Sequence, residues 1–273
     1  DDEINNLGRS INVMSDKLER TINQLRNSNI ELEKDIEEKS KIDEMRKSFI
    51  SDVSHELKTP IALIQGYSEG LLENVNTDEE SRKFYAEVIL DETNKMDKLV
   101  KQLLELMKLE YGKRQFNDKK FNIVEVEKEV VRKSKVMLEE KKVKIEFNLS
   151  EEINVFADDF YIEQVISNYI TNAIKHVKEI DGKKVISIVN EVNIEKNKVR
   201  VKIFNTGENI AEEHINRIWN RFYKVDESRN RTDGGTGIGL SFVKAIMNNY
   251  GNRYGVTNKE DGVEFYFDLD LIV

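Results

Sequence analysis

The chain reads Phe-Ile-Ser-Asp-Val-Ser-His-Glu-Leu-Lys-Thr-Pro from Phe49 to Pro60, and this proline is the only one in the sequence. It lies in an otherwise good helical segment, where it cannot donate a hydrogen bond to the carbonyl of Glu56. The segment therefore predicts a helix that bends or loosens just beyond His55. A neutral imidazole is a nucleophile near pH 7, and Glu56 can accept the proton from the ring nitrogen that does not react.

Thr59 follows His55 by four residues and therefore lies on the same helical face. Its hydroxyl can orient a water molecule there. These residues together predict a histidine that becomes phosphorylated. A lone histidine in a helix is more often a surface or core residue without chemistry, so the prediction depends on the rest of the chain.

The composition limits the class of protein. The 273 residues suffice for about two domains with a sizeable core. The 52 acidic and 43 basic residues give a net charge of −9, which argues against direct nucleic-acid binding. There is no cysteine, no apolar stretch long enough to span a membrane and no signal peptide. Because the chain begins with Asp1 rather than methionine, we expect a fragment of a longer protein.

The first part of the chain, residues 1–39, carries an apolar seam typical of a coiled coil. Its apolar residues recur at spacings of three and four, with a four-residue insertion that locally unwinds the supercoil. They are Ile4, Leu7, Ile11, Met14, Leu18, Ile22, Leu25, Leu32 and Ile36. An imperfect long helix is the alternative interpretation.

The second part, residues 40–112, has two longer apolar stripes at helical spacing, separated by a polar turn from Asn74 to Glu80. The first stripe comprises Phe49, Val53, Leu57, Ile61, Ile64 and Leu71, and the second Phe84, Val88, Ile89, Met96, Leu99, Val100, Leu103, Leu104 and Leu106. Tyr111 and Gly112 end the second helix. A two-helix hairpin exposes too much apolar surface to stand alone, so two copies should form a four-helix bundle. We therefore expect a homodimer.

The third part, residues 117–273, mixes strands and helices. Alternating apolar residues predict strands at 143–149, 185–189, 199–204 and 265–271, with helices at 123–140, 160–177 and 238–250. Strands and helices do not alternate strictly. The pattern favours a two-layer α/β sandwich over a doubly wound sheet.

Polar residues share one face of the helix that runs from Glu163 to His176. Asn168, Asn172 and Lys175 recur at spacings of four and three. Amide oxygens suit Mg²⁺, and a lysine can bind phosphate as a point charge. An isolated pair of asparagines at this spacing is nearly worthless as a motif.

Two glycine-bearing segments follow, Phe204–Ile210 and Gly234–Leu240. Glycines in the second let backbone amides approach phosphate, and a helix that begins near Ile238 directs its positive end at them. A Rossmann site is the obvious rival interpretation. It fails on order, because Rossmann glycines follow the first strand of a βαβ unit, and the chain has no P-loop either.

The run His55-Glu56-Leu57-Lys58-Thr59-Pro60 resembles the phosphoacceptor box of bacterial sensor histidine kinases, and the asparagine helix and both glycine segments resemble the ATP-site boxes of that family in the same order. The resemblance implies a Bergerat-type ATPase domain with Asn168 at Mg²⁺. It implies nucleotide contacts by Asn168, Asn172, Lys175, His176, Asn205, Gly207, Ile210, Phe222, Tyr223, Gly235, Thr236, Gly237, Ile238, Gly239 and Leu240. The family usually has aspartate at the position of Asn205 and glycine at that of Asn209.

The resemblance implies that ATP phosphorylates His55, with Glu56 as base, and that a response regulator receives the phosphoryl group on an aspartate. Residues 2–14 resemble the second helix of a HAMP module, which implies membrane attachment of the full-length protein through an N-terminal part that this chain lacks. Two alternatives stay open. The chain could act mainly as a phosphatase of its regulator, with Thr59 positioning water, or as a non-catalytic signalling scaffold with a vestigial nucleotide site.

Overall fold

The computed structural model describes residues 2–75, 78–110, 115–148, 152–225 and 236–272. The chain divides into two units, residues 1–59 and residues 60–273. Helix α1 comprises Asp2–Leu72, and Pro60 lies inside it without ending it. In the first unit, the described seam residues are exposed, from 41% at Ile22 to 73% at Met14. A single copy leaves the seam uncovered, and the coiled coil stays a prediction.

The second unit begins with a helical hairpin made of the end of α1 and of α2 (Glu79–Glu110). The rings of Tyr67 and Tyr85 meet edge to face at 5.0 Å between centroids. Asn74 turns the chain with a φ of 50°, and Asp78 starts α2 by accepting a hydrogen bond of 2.7 Å from the amide of Ser81. The rest of the predicted turn, at 76–77, and the predicted stop at 111–112 lie outside the described residues.

Helix α2 has two apolar faces. Leu99, Leu103, Leu106 and Leu109 are buried. Phe84, Leu90, Val100, Leu104 and Met107 are exposed in the single chain. Some apolar residues of α2 therefore pack inside this chain, and others remain exposed in the single copy.

The remaining elements form the mixed α/β part. The helices are α3 (Ile123–Lys133), α4 (Lys135–Glu140), α5 (Asp159–His176), α6 (Glu212–Ile215) and α7 (Gly239–Asn249). The strands are β1 (Lys119–Asn122), β2 (Lys144–Asn148), β3 (Asn154–Ala157), β4 (Val185–Asn193), β5 (Lys198–Thr206), β6 (Tyr254–Lys259) and β7 (Gly262–Asp270). Strands β1, β3 and β6 were not predicted. The helix predicted at 123–140 is interrupted at Ser134, whose hydroxyl bonds back to the carbonyl of Val130 at 2.9 Å.

Five strands form one sheet in the order β2-β4-β5-β7-β6, in which β2 and β4 are parallel and the other neighbours antiparallel. Alternate residues point to opposite faces of the sheet. Ile188, Val201 and Phe267 lie on the buried face, whereas Arg200 and Lys202 keep partly exposed side chains on the other. Helices α3, α5 and α7 cover the buried face, so the predicted two-layer α/β sandwich is confirmed.

The buried face of α5 explains its position. Its apolar residues Ile162, Val165, Ile166, Ile170 and Ile174 are almost completely buried. Its first turn is capped by the side chain of Asp158, which accepts hydrogen bonds from the amides of Phe160 and Asn117 at 3.1 and 2.9 Å. Among the described residues, no helix combines the length and the apolar character that a membrane crossing requires.

Candidate active site

His55 lies on the exposed face of α1. Thr59 is also exposed and follows one turn later, while Glu56 is half-buried. The neighbouring Ser54 donates its hydroxyl back to the carbonyl of Ile50 at 2.7 Å, which engages that hydroxyl within the helix. The imidazole is therefore accessible to a reactant from solution, with a carboxylate as its sequence neighbour.

A second cluster lies where α5 meets the start of α7. Asn168 donates its amide nitrogen to the carbonyl of Gln164 at 2.9 Å, which leaves its oxygen as the acceptor that faces α7. A β-carbon built on Gly239 would lie only 2.7 Å from this oxygen. A side chain at the first residue of α7 would displace Asn168, so glycine there keeps an amide oxygen next to the amino end of that helix.

The first turn of α7 has amide groups without a side-chain cap. The residue before the helix, Ile238, makes no capping hydrogen bond through its side chain, and the first turn contains no acidic residue. The hydroxyl of Ser241 instead donates to the carbonyl of Ile238 at 2.8 Å. Free amides and the helix dipole make this turn suitable for phosphate oxygens.

The segment before α7 is fixed against Phe222. The amide of Phe222 donates to the carbonyl of Gly237 at 2.9 Å, and both residues have positive φ, 59° and 68°. A β-carbon on Gly237 would approach the α-carbon of Phe222 to 2.7 Å. The structure thus brings together two segments predicted to bind nucleotide. Gly235 lies outside the described residues.

The first glycine segment lies at the other end of α5. Asn205 is buried and donates its side-chain nitrogen to the carbonyl of Thr206 at 3.1 Å. Gly207 has a φ of 155°, and a β-carbon there would lie 2.8 Å from the carbonyl oxygen of His176. The predicted residues Asn168, Asn172, Lys175 and His176 therefore run along α5 from the second glycine segment to the first.

Sequence reasoning missed two residues that hold the first glycine segment. The hydroxyl of Thr206 donates to the carbonyl of Lys178 at 2.8 Å and accepts from the amide of Val185 at 3.1 Å. The side chain of Asn258 bonds both the amide and the carbonyl of Ile210, at 2.9 and 2.7 Å. Thr206 lies inside a predicted box, but no sequence signal marks Asn258 because β6 was not predicted.

Tyr223 has a partner within the protein. Its hydroxyl lies 2.6 Å from Nδ1 of His214, and the guanidinium of Arg217 lies 4.6 Å from the centre of its ring. The side chain of His214 is only 20% exposed. Its hydrogen bond to a residue nine positions away explains the burial.

Polar side chains of helix α2 contact α5, the second glycine segment and Arg221. The hydroxyl of Thr236, in the second glycine segment, donates to Gln102 at 3.3 Å. The hydroxyl of Tyr161 donates to Glu105 at 2.5 Å, and Arg221 forms an ion pair with Glu110. These three acceptors recur along one side of α2. Nothing in the sequence distinguished them from other polar residues between the leucines.

The residues of this site fit a nucleotide bound with Mg²⁺. Asn168 presents a half-buried amide oxygen, and Mg²⁺ prefers oxygen ligands and keeps several waters. No cluster of three or more histidine, aspartate or glutamate side chains suited to a metal occurs among the described residues.

Comparison with known proteins finds two family matches in the chain. Residues 45–112 match the His Kinase A (phospho-acceptor) domain, and residues 157–272 match the family of histidine kinase-, DNA gyrase B- and HSP90-like ATPases. These matches define two known domain types, one containing His55 and the other containing the glycine segments. The chain belongs to the bacterial sensor histidine kinases, a family of ATP-dependent transferases.

Individual relatives support this assignment. The chain is 31% identical over 226 residues to the sensor protein SrrB of Staphylococcus aureus (strain N315), a match that covers 83% of this chain and 38% of that protein. The chain thus spans well under half of this relative. The solved structure of the histidine kinase AdeS of Acinetobacter baumannii matches with 25% identity and a TM-score of 0.66, over 80% of this chain and 98% of that one.

A solved complex is also similar. The histidine kinase ThkA, crystallised with the response regulator protein TrrA, matches with 27% identity and a TM-score of 0.62. The match covers 81% of this chain and 60% of that one.

Proposed function

We propose that this chain is the catalytic part of a sensor histidine kinase that phosphorylates itself on His55. One ring nitrogen forms a bond to the γ-phosphorus of ATP while the bond from that phosphorus to the bridging oxygen breaks and ADP leaves. Glu56 accepts the proton of the other ring nitrogen. Phosphoryl transfer of this kind depends mainly on positioning and on charge neutralisation.

The observation that carries the proposal is the position of Asn168 next to Gly239. The amide oxygen is oriented by the bond to Gln164, and the absence of a β-carbon lets it approach the uncapped first turn of α7. In the bound state this oxygen would be a ligand of Mg²⁺, which neutralises phosphate charge. The amides of Gly239 and Leu240 would receive phosphate oxygens, as expected at the amino end of a helix.

The other predicted residues take roles around this centre. Lys175, half-buried on the same face of α5, would bind phosphate, while Asn172 lies between it and Asn168. Asn205 would receive the adenine amino group, because its nitrogen already bonds Thr206 and its oxygen is the remaining acceptor. The remaining contacts to the nucleotide would come from His176, Gly207, Ile210, Phe222, Tyr223, Gly235, Thr236, Gly237 and Ile238.

A homodimer and a response regulator are the proposed partners. The exposed Phe84, Leu90, Val100, Leu104 and Met107 give α2 an apolar surface that a second copy can cover to form a four-helix bundle. A response regulator would receive the phosphoryl group from His55 on an aspartate. The similar kinase ThkA has been crystallised with such a regulator.

The domain boundaries and the membrane attachment are further parts of the proposal. We assign residues 1–39 to a HAMP second helix and a coiled coil, 40–112 to dimerisation and phosphotransfer, and 117–273 to ATP binding. The full-length protein would attach to the cell membrane through a preceding segment. The net charge of −9 argues against nucleic acid as a direct partner.

Incubating the chain with Mg²⁺ and ATP labelled at the γ-phosphate tests the kinase reaction. We expect label on the protein that is lost in acid and kept in base, since a phosphoramidate has this stability. Adding a candidate regulator should move the label to it. ATP binding measured in parallel distinguishes the alternative in which Asn205 has weakened the kinase and left mainly a phosphatase.

Thr59→Ala should affect autophosphorylation of His55 and dephosphorylation of the regulator differently. Thr59 lies one turn beyond His55, where its exposed hydroxyl can orient a water molecule at a docked phosphoaspartate. We expect autophosphorylation to persist, while dephosphorylation of the regulator slows by about tenfold or more because an ordered water is lost. Both rates are measured on one purified variant.

Thermal unfolding of the same variant provides the control. If Thr59 only packs against the bend at Pro60, both activities should fall together with the stability of the hairpin. Thr59→Ser keeps the hydroxyl and should retain the phosphatase rate. Equal loss of both activities would rule out the water-positioning role.

A further inference from the structure

Glu127 is a buried carboxyl group that the kinase reaction does not use. It lies in the apolar stripe of α3, next to Ile123, Val124 and Val130, and its exposure to solvent is 0%. Carboxylates are almost never fully buried unless they are paired with a cation. No salt bridge to this carboxyl occurs within the described part of the chain.

The partner of this carboxyl is an amide. Oε2 of Glu127 accepts a hydrogen bond of 2.9 Å from Nδ2 of Asn190 on β4. The other oxygen of Glu127, Oε1, and the amide oxygen of Asn190, Oδ1, are buried and have no hydrogen-bond partner among the described residues. Two buried acceptors without a donor in one pair are costly, since each loses its bond to water.

A proton on Glu127 would supply the missing hydrogen-bond donor. We propose that Glu127 and Asn190 form a proton-binding site in which the neutral carboxylic acid donates from Oε1 to Oδ1 of Asn190, while Nδ2 of Asn190 donates to Oε2. The acid and the amide then share two hydrogen bonds, and all four polar atoms of the pair are satisfied. Loss of the proton removes one bond, leaves a buried charge and weakens the packing of α3 on the sheet.

The surroundings of the pair favour the neutral acid. Ile188 and Val201, next to Asn190 on the buried face of the sheet, are apolar. The neighbouring Lys128, on the same helix, is exposed.

Charged groups on the adjacent elements pair with one another. Lys133 of α3 bonds Glu163 of α5 at 2.6 Å, and Lys202 pairs with Glu191 on the opposite face of the sheet. Within the described ranges, none of these cations compensates a carboxylate at 127.

The pKa of Glu127 is raised from 4.5 to about 7, mainly by burial, while the bond from Asn190 and the charge of Lys128 oppose the shift. Because the folded state holds the proton more tightly than the unfolded chain, this group stabilises the fold fully below pH 4.5. The contribution is lost as the pH rises to about 7. The pair therefore makes the stability of the ATP-binding part depend on pH just below neutrality.

Glu127→Gln tests the proposal, because glutamine reproduces the shape and both hydrogen bonds of the neutral acid. Urea unfolding of the full chain is followed by the fluorescence of Trp219, the single tryptophan, which is buried in this part of the chain. Between about pH 5 and pH 8, the unfolding constant of the parent should rise by roughly 100-fold more than that of the variant. The variant should be the more stable protein at about pH 8.

Glu125→Gln is the matched control, since Glu125 lies on the exposed side of the same helix. It should keep the pH dependence of the parent. Equal pH dependence of the parent and Glu127→Gln would overturn the proposal.

Infrared spectroscopy tests the parent directly, even if Glu127→Gln does not fold. At about pH 6 the parent should show the carbonyl band of a protonated carboxyl, which shifts when glutamate is isotopically labelled and disappears above about pH 8. The carboxyl of Glu127, whose pKa is raised to about 7, should be the source of this band. Absence of the band at about pH 6 would show that the carboxyl is ionised and that no proton is bound.

Discussion

His55→Gln should abolish autophosphorylation completely while ATP binding stays at the level of the parent. The acceptor lies on α1, whereas the residues proposed to bind ATP lie on α5, α7 and the adjoining glycine segments. Glutamine keeps a polar side chain at an exposed helical position, so the helix should tolerate it at a cost of about 0.5 kcal/mol or less. The measurement is incorporation of label from ATP labelled at the γ-phosphate.

Lys58→Gln, an exposed change in the same turn, is the control and should retain labelling. Label that persists on His55→Gln would show that another residue is the acceptor. Acid and base stability of the label then identifies its chemical type, because a phosphoester on serine or threonine survives acid. Loss of ATP binding together with labelling would instead indicate damage to the ATP-binding part.

Asn168→Ala should reduce Mg²⁺-dependent ATP use by about a hundredfold or more, the usual effect of removing a group that stabilises developing charge. The variant loses the oxygen that faces the first turn of α7 and the hydrogen bond of 2.9 Å to Gln164. That bond lies inside a helix and contributes about 1 kcal/mol, so the sandwich should remain folded. Turnover is measured over a range of Mg²⁺ concentrations, with thermal unfolding in parallel.

Ser167→Ala provides the matched control on the same helix, one residue away and off the face that carries the asparagines. It should leave turnover unchanged. If Asn168→Ala retains turnover at all Mg²⁺ concentrations, the metal is held elsewhere. If higher Mg²⁺ restores the rate, Asn168 contributes to metal affinity, as the proposal requires.

Local signals were enough to predict the sandwich, and they suggested the residues of the proposed site. The strands at β2, β4, β5 and β7 show alternation with a period of two, and the residues of α5 divide into an apolar side and an asparagine side with the period of a helix. Glycine-rich segments predict close approach of the backbone. Gly239 lies close to the side chain of Asn168, whereas the predicted approach of its amide to phosphate stays a prediction.

Other features depend on residues far apart in the sequence. Strands β1, β3 and β6 are short or carry polar residues, so their pairing rather than their pattern defines them. The bond between Asn258 and Ile210 joins residues 48 positions apart. Neither residue is unusual in its local context, so no local rule could pair them.

By itself, the sequence determined which residues are able to react and which faces of the helices are apolar, because side-chain chemistry and helical periodicity are properties of short segments. Tertiary structure alone decided which polar groups face one another. Glu127 falls on an apolar stripe in the sequence, but its meeting with Asn190 depends on the packing of α3 on β4. Burial then raises the pKa of its carboxyl to about 7, since water no longer solvates the charged form.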